Sequence, residues 1–209
     1  SSVPARVARL TWRQDGIDTA LVQREQGRMP GLYTIQVDDT GERTFYYWRD
    51  SSAAKRYFDE AQNLLEESLD SLDALYFSGI SLAVLPIEGR KRLLGCAEKL
   101  HARGGRVFFD NNYRARLWPG NEEARKWYEG AYATCDLALI TLEDHQALYE
   151  VEDDEKALMH AFSLPPDEVV VKRGAQTALV RMAGRNPIEV PVFKTAKVVD
   201  TTGAGDSFA

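Results

Sequence analysis

Little in this chain points to chemistry by thiol, metal or membrane. Among 209 residues there are two cysteines and three histidines. Cys96 and Cys135 are too few for a disulfide framework. Both fall in stretches that read as helical, which fits buried thiols in a reducing compartment. His101, His145 and His160 lie in separate helical stretches, with no Cys or further His at ligand spacing. That argues against a zinc site and for surface or helix-packing roles. No apolar run is long enough to span a bilayer and no signal peptide is visible, so the expected setting is the cytoplasm, with no membrane partner. A basic excess is also missing. Lys and Arg number 26 against 32 Asp and Glu, a formal net charge of -6. This argues against non-specific nucleic-acid binding but leaves anionic small molecules open, because local Arg placement decides those. There is no internal repeat, low-complexity segment or clear interdomain linker, and Pro165-Pro166 marks only a local turn. An initiating Met is absent too: the chain begins at Ser1 and stops at Ala209, just as a last helix begins.

The chain does have the composition of an ordinary globular protein, 44% hydrophobic and 28% charged. Its length suits one domain, or one with a small appendage. Val3 to Trp12 reads as a short helix, and Gly16 to Val22 as a turn and strand. Two β-rich runs, 31–37 and 42–49, flank Asp38-Asp39-Thr40-Gly41 and predict a hairpin. From Ala74 on, strands and helices alternate. Buried strands are expected over Ala74–Ile80, Arg106–Asp110, Leu137–Ile140 and Glu168–Lys172. Helices are expected over Ile87–Arg103, ended by Gly104-Gly105, over Glu122–Thr134, and through Asp144–Phe162. Pro187 to Thr195 reads as short antiparallel strands. Alternation of this kind predicts an α/β fold with a mostly parallel sheet covered by helices.

The last twelve residues carry the strongest chemical signal. Val198-Val199 suggests a short strand. Asp200-Thr201-Thr202-Gly203-Ala204-Gly205 is a turn of small residues, and Asp206 stands in the first turn of a helix. Such a helix start presents unpaired N–H groups to an anion, and glycines let a phosphate approach the backbone. Asp206 repels phosphate, so its chemistry suits a general base that takes a proton from an attacking hydroxyl. A glycine turn that merely caps a helix is the plainer reading. A dinucleotide fingerprint is disfavoured, because its third glycine falls on Phe208.

The Asp-Thr-Thr-Gly-Ala-Gly-Asp run resembles the C-terminal motif of the ribokinase-like (phosphofructokinase-B) carbohydrate kinases. That resemblance implies ATP and Mg2+ as cofactors, Asp206 as the catalytic base, and Gly203, Ala204, Gly205 and Asp206 at the ATP phosphates. It also implies a ribokinase-like sheet with a small β lid. Members of that family continue past this point and carry an N-terminal Gly-Gly sugar motif not found here. Residues 1–209 are therefore expected to be the middle of the fold, incomplete at both ends, and poorly active without them.

Three further segments extend the likeness. Gly-Glu-Arg-Thr-Phe-Tyr-Tyr-Trp-Arg, with Leu32-Tyr33 before it, is similar to the substrate lid of 2-keto-3-deoxygluconate kinases. This implies a lid over 31–49 in which Tyr33, Tyr46, Trp48 and Arg49 face a sugar acid. An Arg beside aromatic rings suits a carboxylated, hydroxylated ligand, whereas Phe45 suits a core face. Asp110-Asn111-Asn112-Tyr113-Arg114 is similar to the family segment between the substrate and phosphate sites. It implies sugar-acid or phosphoryl contact for Arg114 and ATP contact for Asn112, Tyr113 and Arg114; a polar loop with solvated arginines is the alternative. Lys172-Arg173-Gly174-Ala175-Gln176-Thr177 matches the family's Lys-Arg-Gly loop to ATP, or else is a surface hairpin turn. Many relatives have Asn-x-x-Glu where Thr141-Leu142-Glu143-Asp144 stands. Glu143 or Asp144 can act through metal-bound water or open a capped helix, so metal ligands stay unassigned.

Together these imply an ATP-dependent kinase acting on the primary hydroxyl of 2-keto-3-deoxygluconate, and a homo-oligomer through the lid. The alternatives are a ribokinase-like kinase of a neutral ketose, or a non-catalytic remnant that binds a sugar acid.

Overall fold

A computed structural model describes residues 3–37, 43–193 and 203–209. The chain divides into two compact units. The first comprises Ser1–Leu69 and Val84–Arg92, the second Asp70–Ala83 and Leu93–Ala209.

The first unit opens with helix α1 (Val3–Gln14), as expected. The strand expected near Gly16–Val22 does not form. Its backbone groups are spent on local turns: the Ile17 N–H donates to the Trp12 carbonyl at 2.8 Å, and Val22 to Thr19 at 3.2 Å. The Asp18 carboxylate accepts the Ala20 N–H at 2.9 Å. This is an Asx turn, and an Asp side chain competes with any strand ladder in this way. Strands β1 (Leu32–Val37) and β2 (Arg43–Trp48) then form the predicted antiparallel hairpin; its turn, 38–42, lies outside the described residues. Farther on, Asn63 is buried and caps helix α2 (Leu64–Ser68) by accepting the Leu65 N–H at 3.0 Å. Arg92 ties this region together, pairing with Glu66 and donating to the Phe58 and Glu60 carbonyls.

The second unit is built on a six-stranded sheet in sequential order. Strands β3 (Ala74–Ser78), β4 (Arg106–Asp110), β5 (Leu137–Thr141) and β6 (Glu168–Lys172) run parallel. Strands β7 (Ala178–Met182) and β8 (Ile188–Val190) add on antiparallel. The first of these two escaped the sequence reading. Parallel neighbours need helical crossovers, and helices supply them. Short α3 (Gly79–Val84) and long α4 (Ile87–Ala102) link β3 to β4; α5 (Asn121–Thr134) links β4 to β5; α6 (Leu142–Tyr149) and α7 (Asp154–Phe162) link β5 to β6. Helix α4 ends where expected. Gly104 takes φ 89°, its N–H donating to His101 and that of Gly105 to Leu100, a Schellman stop that needs a residue at ease with positive φ.

The helical patterns through 144–162 form two separate helices. Glu150 adopts φ 58° and the Asp153 carboxylate caps the second by accepting the Lys156 N–H at 2.8 Å. Strand β3 is also less buried than predicted. It stands at the sheet edge, with only Phe77 buried.

The core gathers where α5 lies on β4. The Phe109 ring meets Phe77, Tyr128 and Tyr132 at centroid distances of 5.1, 5.4 and 5.2 Å. The two free cysteines are both buried, and burial pushes the Cys135 thiol up to about 12, so it is unreactive. The three histidines stand on separate helices, as expected, and two of them meet where the helices pack. His145 is fully buried in α6, and its Nε2 lies 2.9 Å from His160 Nδ1 in α7. Burial first, then His160, holds its pKa down at about 3, so the imidazole is neutral.

One glycine in this core is there for lack of space. A Cβ on Gly79 falls 1.8 Å from the Tyr128 hydroxyl and 2.2 Å from the Asn111 carbonyl, two groups joined by a 2.7 Å hydrogen bond. Gly79→Ala must break that buried bond and displace Tyr128. The expected cost is about 3 kcal/mol or more, read as a lowered denaturant midpoint at unchanged slope.

Candidate active site

The C-terminal ends of β3 to β6 face the same way, and polar residues collect beyond them. In an open parallel sheet this is the edge where ligands bind. Asp110 closes β4, only 1% exposed. Its Oδ2 accepts from Lys172 Nζ, at the end of β6, at 3.3 Å, and lies 3.5 Å from the Tyr76 hydroxyl of β3. Burial, then the charges of Asp110 and Asp206, push the Tyr76 phenol up to about 12, so it stays protonated. Asn111 clips two strands together: Nδ2 donates to the Thr141 carbonyl at 3.0 Å while Oδ1 accepts the Thr141 N–H at 2.9 Å.

The loop after β4 then reaches two ways. Asn112, at φ 27°, sends Nδ2 to Asp206 Oδ1 at 3.2 Å. Arg114 Nη1 donates to both oxygens of Asp144 at 3.0 to 3.1 Å. Asp144 Oδ2 also accepts the Tyr113 N–H at 3.1 Å. Burial raises the Asp144 carboxyl, opposed by the Arg114 guanidinium and the Tyr113 N–H. Asp144 therefore anchors the 112–114 loop, and no side-chain cap forms at Thr141. All Arg114 contacts among the described residues run through Nη1, leaving Nε and Nη2 for a ligand.

Not every residue proposed from sequence presents its side chain at this edge. The Tyr113 ring is buried, its hydroxyl donating to Asn121 at 2.6 Å, so only its backbone borders the loop. Lys172 is 11% exposed at its side chain and committed to Asp110. Residues 173–177 form a tight turn, closed by the Gln176 N–H on the Arg173 carbonyl at 2.9 Å and by Arg173 Nε on the Thr177 carbonyl at 2.8 Å. Gly174, at φ 56°, permits the turn, and Gly174, Ala175 and Gln176 are exposed. A Cβ on Gly174 would sit 3.8 Å from Glu143 Oε1, which places this turn beside the start of α6.

Helix α8 (Ala204–Phe208) carries Asp206 in its first turn, after Gly203 at φ 73°. No described residue comes within 4 Å of where a Cβ would stand on Gly203 or Gly205. Phe208 stands over Lys172, its ring centroid 5.7 Å from Nζ. The preceding segment, including the Val198-Val199 strand and Asp200-Thr201-Thr202, lies outside the described residues. Among the described residues no group of three or more His, Cys, Asp or Glu is arranged to hold a metal ion. Nor is any helix long and apolar enough to cross a membrane.

In the first unit the hairpin divides the four proposed lid residues. Cross-strand partners share a face, and the register pairs Tyr33 with Tyr47, Ile35 with Phe45, Thr34 with Tyr46 and Leu32 with Trp48. Tyr33, Phe45 and Tyr47 therefore cluster on one face, with centroids 6.0 to 6.2 Å apart. The Arg49 guanidinium lies 4.3 Å from the Tyr47 ring centroid. Tyr46 and Trp48 project from the opposite face, where the Tyr46 hydroxyl donates to Gln36 at 3.1 Å. Period-two alternation in the sequence contained this division, which placing Tyr33, Tyr46, Trp48 and Arg49 together toward one ligand did not use. The Asp110–Lys172 pair was missed as well, though an acid closing the apolar run Val107-Phe108-Phe109 was its signal.

This sheet, with its acid on the last helix and its basic loops at the strand ends, has the architecture of the ribokinase-like sugar kinases. A putative ribokinase II from E. coli, solved with ATP and Mg2+, superposes with a TM-score of 0.81 at 23% identity, over 97% of this chain and 63% of that one. The model of the pfkB family of carbohydrate kinases matches residues 5–209, and the chain belongs to that family. It is 45% identical over 201 residues to 2-dehydro-3-deoxygluconokinase from Escherichia coli (strain K12). It is 44% identical over 202 residues to the enzyme of the same name from Dickeya dadantii (strain 3937). Each match covers 95% of this chain and 65% of the relative's length.

Proposed function

We propose that this chain forms the central part of an ATP-dependent kinase that phosphorylates the primary hydroxyl of 2-keto-3-deoxygluconate. The observation that carries the reading is the setting of Asp206. One carboxylate oxygen is held by Asn112, and Oδ2 has no partner among the described residues. A group so placed has an oxygen left to accept a proton. The relatives at 44–45% identity, named for this sugar acid, support the substrate.

In this reading Asp206 takes the hydroxyl proton as the alkoxide oxygen attacks the γ-phosphorus. The bond to the ADP oxygen breaks, and ADP leaves with that electron pair. The open backbone at Gly203, Ala204 and Gly205 and the exposed turn at Gly174, Ala175 and Gln176 receive phosphates and adenosine, with Arg173 and Thr177 holding that turn in shape. Lys172 offsets the buried charge of Asp110 at the end of β6, beside that turn. When bound, Mg2+ would neutralise negative charge on the transferring phosphoryl group. Arg114 offers Nε and Nη2 to the sugar acid; within the hairpin, Arg49 shares a face with Tyr33 and is the guanidinium that the lid would present. Tyr46 and Trp48, on the other face, suit contact with a second copy of the chain, which would make the protein a homo-oligomer through its lid. Residues 1–209 thus act as one partial kinase domain with 31–49 as the lid, in the cytoplasm, without nucleic-acid or membrane partners.

The test compares the acid with its uncharged sugar counterpart in the full native polypeptide carrying these residues. Arg49→Ala and Arg114→Ala should each raise KM for the acid about 10- to 100-fold, the loss of a charge-assisted contact, and should change KM for the neutral sugar far less. Equal effects on both substrates would remove the keto-acid assignment in favour of a ketose kinase.

A further inference from the structure

We infer that Asn112 is the positioning residue of Asp206, fixing the direction in which the base accepts its proton. The inference rests on the reading of Asp206 as base and adds the device that aims it.

Asn112 does not sit comfortably. Its φ of 27° lies in the region L side chains rarely adopt, though Asn tolerates it better than most. Such a conformation persists only where neighbours over-determine it, and here they do. The Asn112 N–H donates to Asn111 Oδ1 at 2.8 Å and to Asp110 Oδ1 at 3.3 Å. The next N–H, of Tyr113, donates to Asp144. Asp110 is itself buried and paired with Lys172, and Asn111 is bolted to β5. The backbone of Asn112 is therefore pinned from both sides, by groups fixed to the sheet and by Asp144 of α6.

Its side chain spans the gap to α8. Because a carboxylate only accepts, the amide must turn Nδ2 toward Asp206. That leaves Asn112 Oδ1 buried without a partner among the described residues. An amide bearing an unmet acceptor, on a strained backbone, has been placed for its other end. The short helix carrying Asp206 is thereby tied at 3.2 Å to the parallel sheet, across 94 residues of sequence. A merely structural Asn here would be replaceable by Gly, which takes the same backbone conformation without strain. A positioning Asn would not be.

Steady-state kinetics with ATP and 2-keto-3-deoxygluconate on the full native polypeptide separate the two. Asn112→Gly should lower kcat about 10- to 100-fold, the range for losing a hydrogen bond to a charged group. Both KM values should stay within about twofold and Tm should hold, because no backbone strain is added. Asn112→Asp keeps the volume and the left-handed tolerance but sets an acceptor against Asp206, so it should lose more than the Gly variant. In an Asp206→Asn background, Asn112→Gly should cost nothing further, since an aimed base is already gone. Near-normal kcat in Asn112→Gly overturns the inference, as does a loss confined to KM for ATP, or one that persists undiminished beside Asp206→Asn. If Asp206→Asn itself turns over normally, the base assignment fails and this inference with it. If that variant is dead while Asn112→Gly is normal, only the positioning role fails.

Discussion

Asp206→Asn in the full native polypeptide is expected to keep its fold and its affinity for ATP while losing about 10²- to 10⁴-fold in kcat, the range for removing a general base. Asn matches the carboxylate in shape, and its carbonyl oxygen can still accept from Asn112 Nδ2, so the tether at 3.2 Å survives. What disappears is the capacity of the second oxygen to take a proton. ATP affinity should hold or improve, because a negative charge near the γ-phosphate is removed. If Asp206 serves only to open α8, the same substitution leaves turnover near normal, since Asn serves well at helix starts. Single-turnover rates and an ATP titration of the one variant decide the matter, and normal turnover in a folded protein would sink the catalytic assignment.

The largest expected effect on stability lies at Lys172. Its ammonium faces Asp110, and neither group has much access to water: the side chains are 11% and 1% exposed. Removing one member of a buried pair strands the other charge in a poorly solvated place, at a cost of about 3–5 kcal/mol. Lys172→Met keeps an unbranched apolar stem but removes the ammonium, and with it the cation over the Phe208 ring, so the loss it reports is that of the charge. Adding Asp110→Asn to Lys172→Met should restore much of the stability, because the stranded carboxylate is then gone while Asn can still accept from the Asn112 N–H. Urea midpoints of the three variants measure this. A single variant as stable as the parent, or a double variant no better than the single, would show that the pair is solvated enough to matter little.

How much of this was legible beforehand differs from element to element for physical reasons. The run Val169-Val170-Val171 and the spacing of Ala124, Tyr128, Ala131 and Tyr132 are strong periodic signals, and β6 and α5 formed where they point. Gly104-Gly105 announced the end of α4 because its geometry depends on local chemistry alone. The strand expected near Gly16 failed because an Asp side chain two residues away from an N–H can satisfy it more cheaply than a partner strand can. At the strand ends stand residues that announce themselves by type in the sequence: Asp206 after its glycines, Arg114, and the Lys172–Thr177 turn. The partnerships between them do not announce themselves, because each joins residues far apart in sequence. Asp110 with Lys172, Asn112 with Asp206 and Arg114 with Asp144 are separated by 62, 94 and 30 positions. Chemistry of a side chain can be read locally, whereas the identity of its neighbour is a property of the sheet order.

The hairpin has a consequence of its own. A two-stranded ribbon has no second layer to hide one side, so odd and even positions along β2 answer to different surroundings. Phe45, Tyr47 and Arg49 form one inheritance; Tyr46 and Trp48 form another. Substitutions can accumulate on either side with little effect on the other, so whatever each face contacts can change separately within a dozen residues. Insertion or deletion of one residue in the strand is the exception. It would turn the ribbon over from that point onward, exchanging the ring stack and the guanidinium for the tyrosine and tryptophan of the reverse side in a single step.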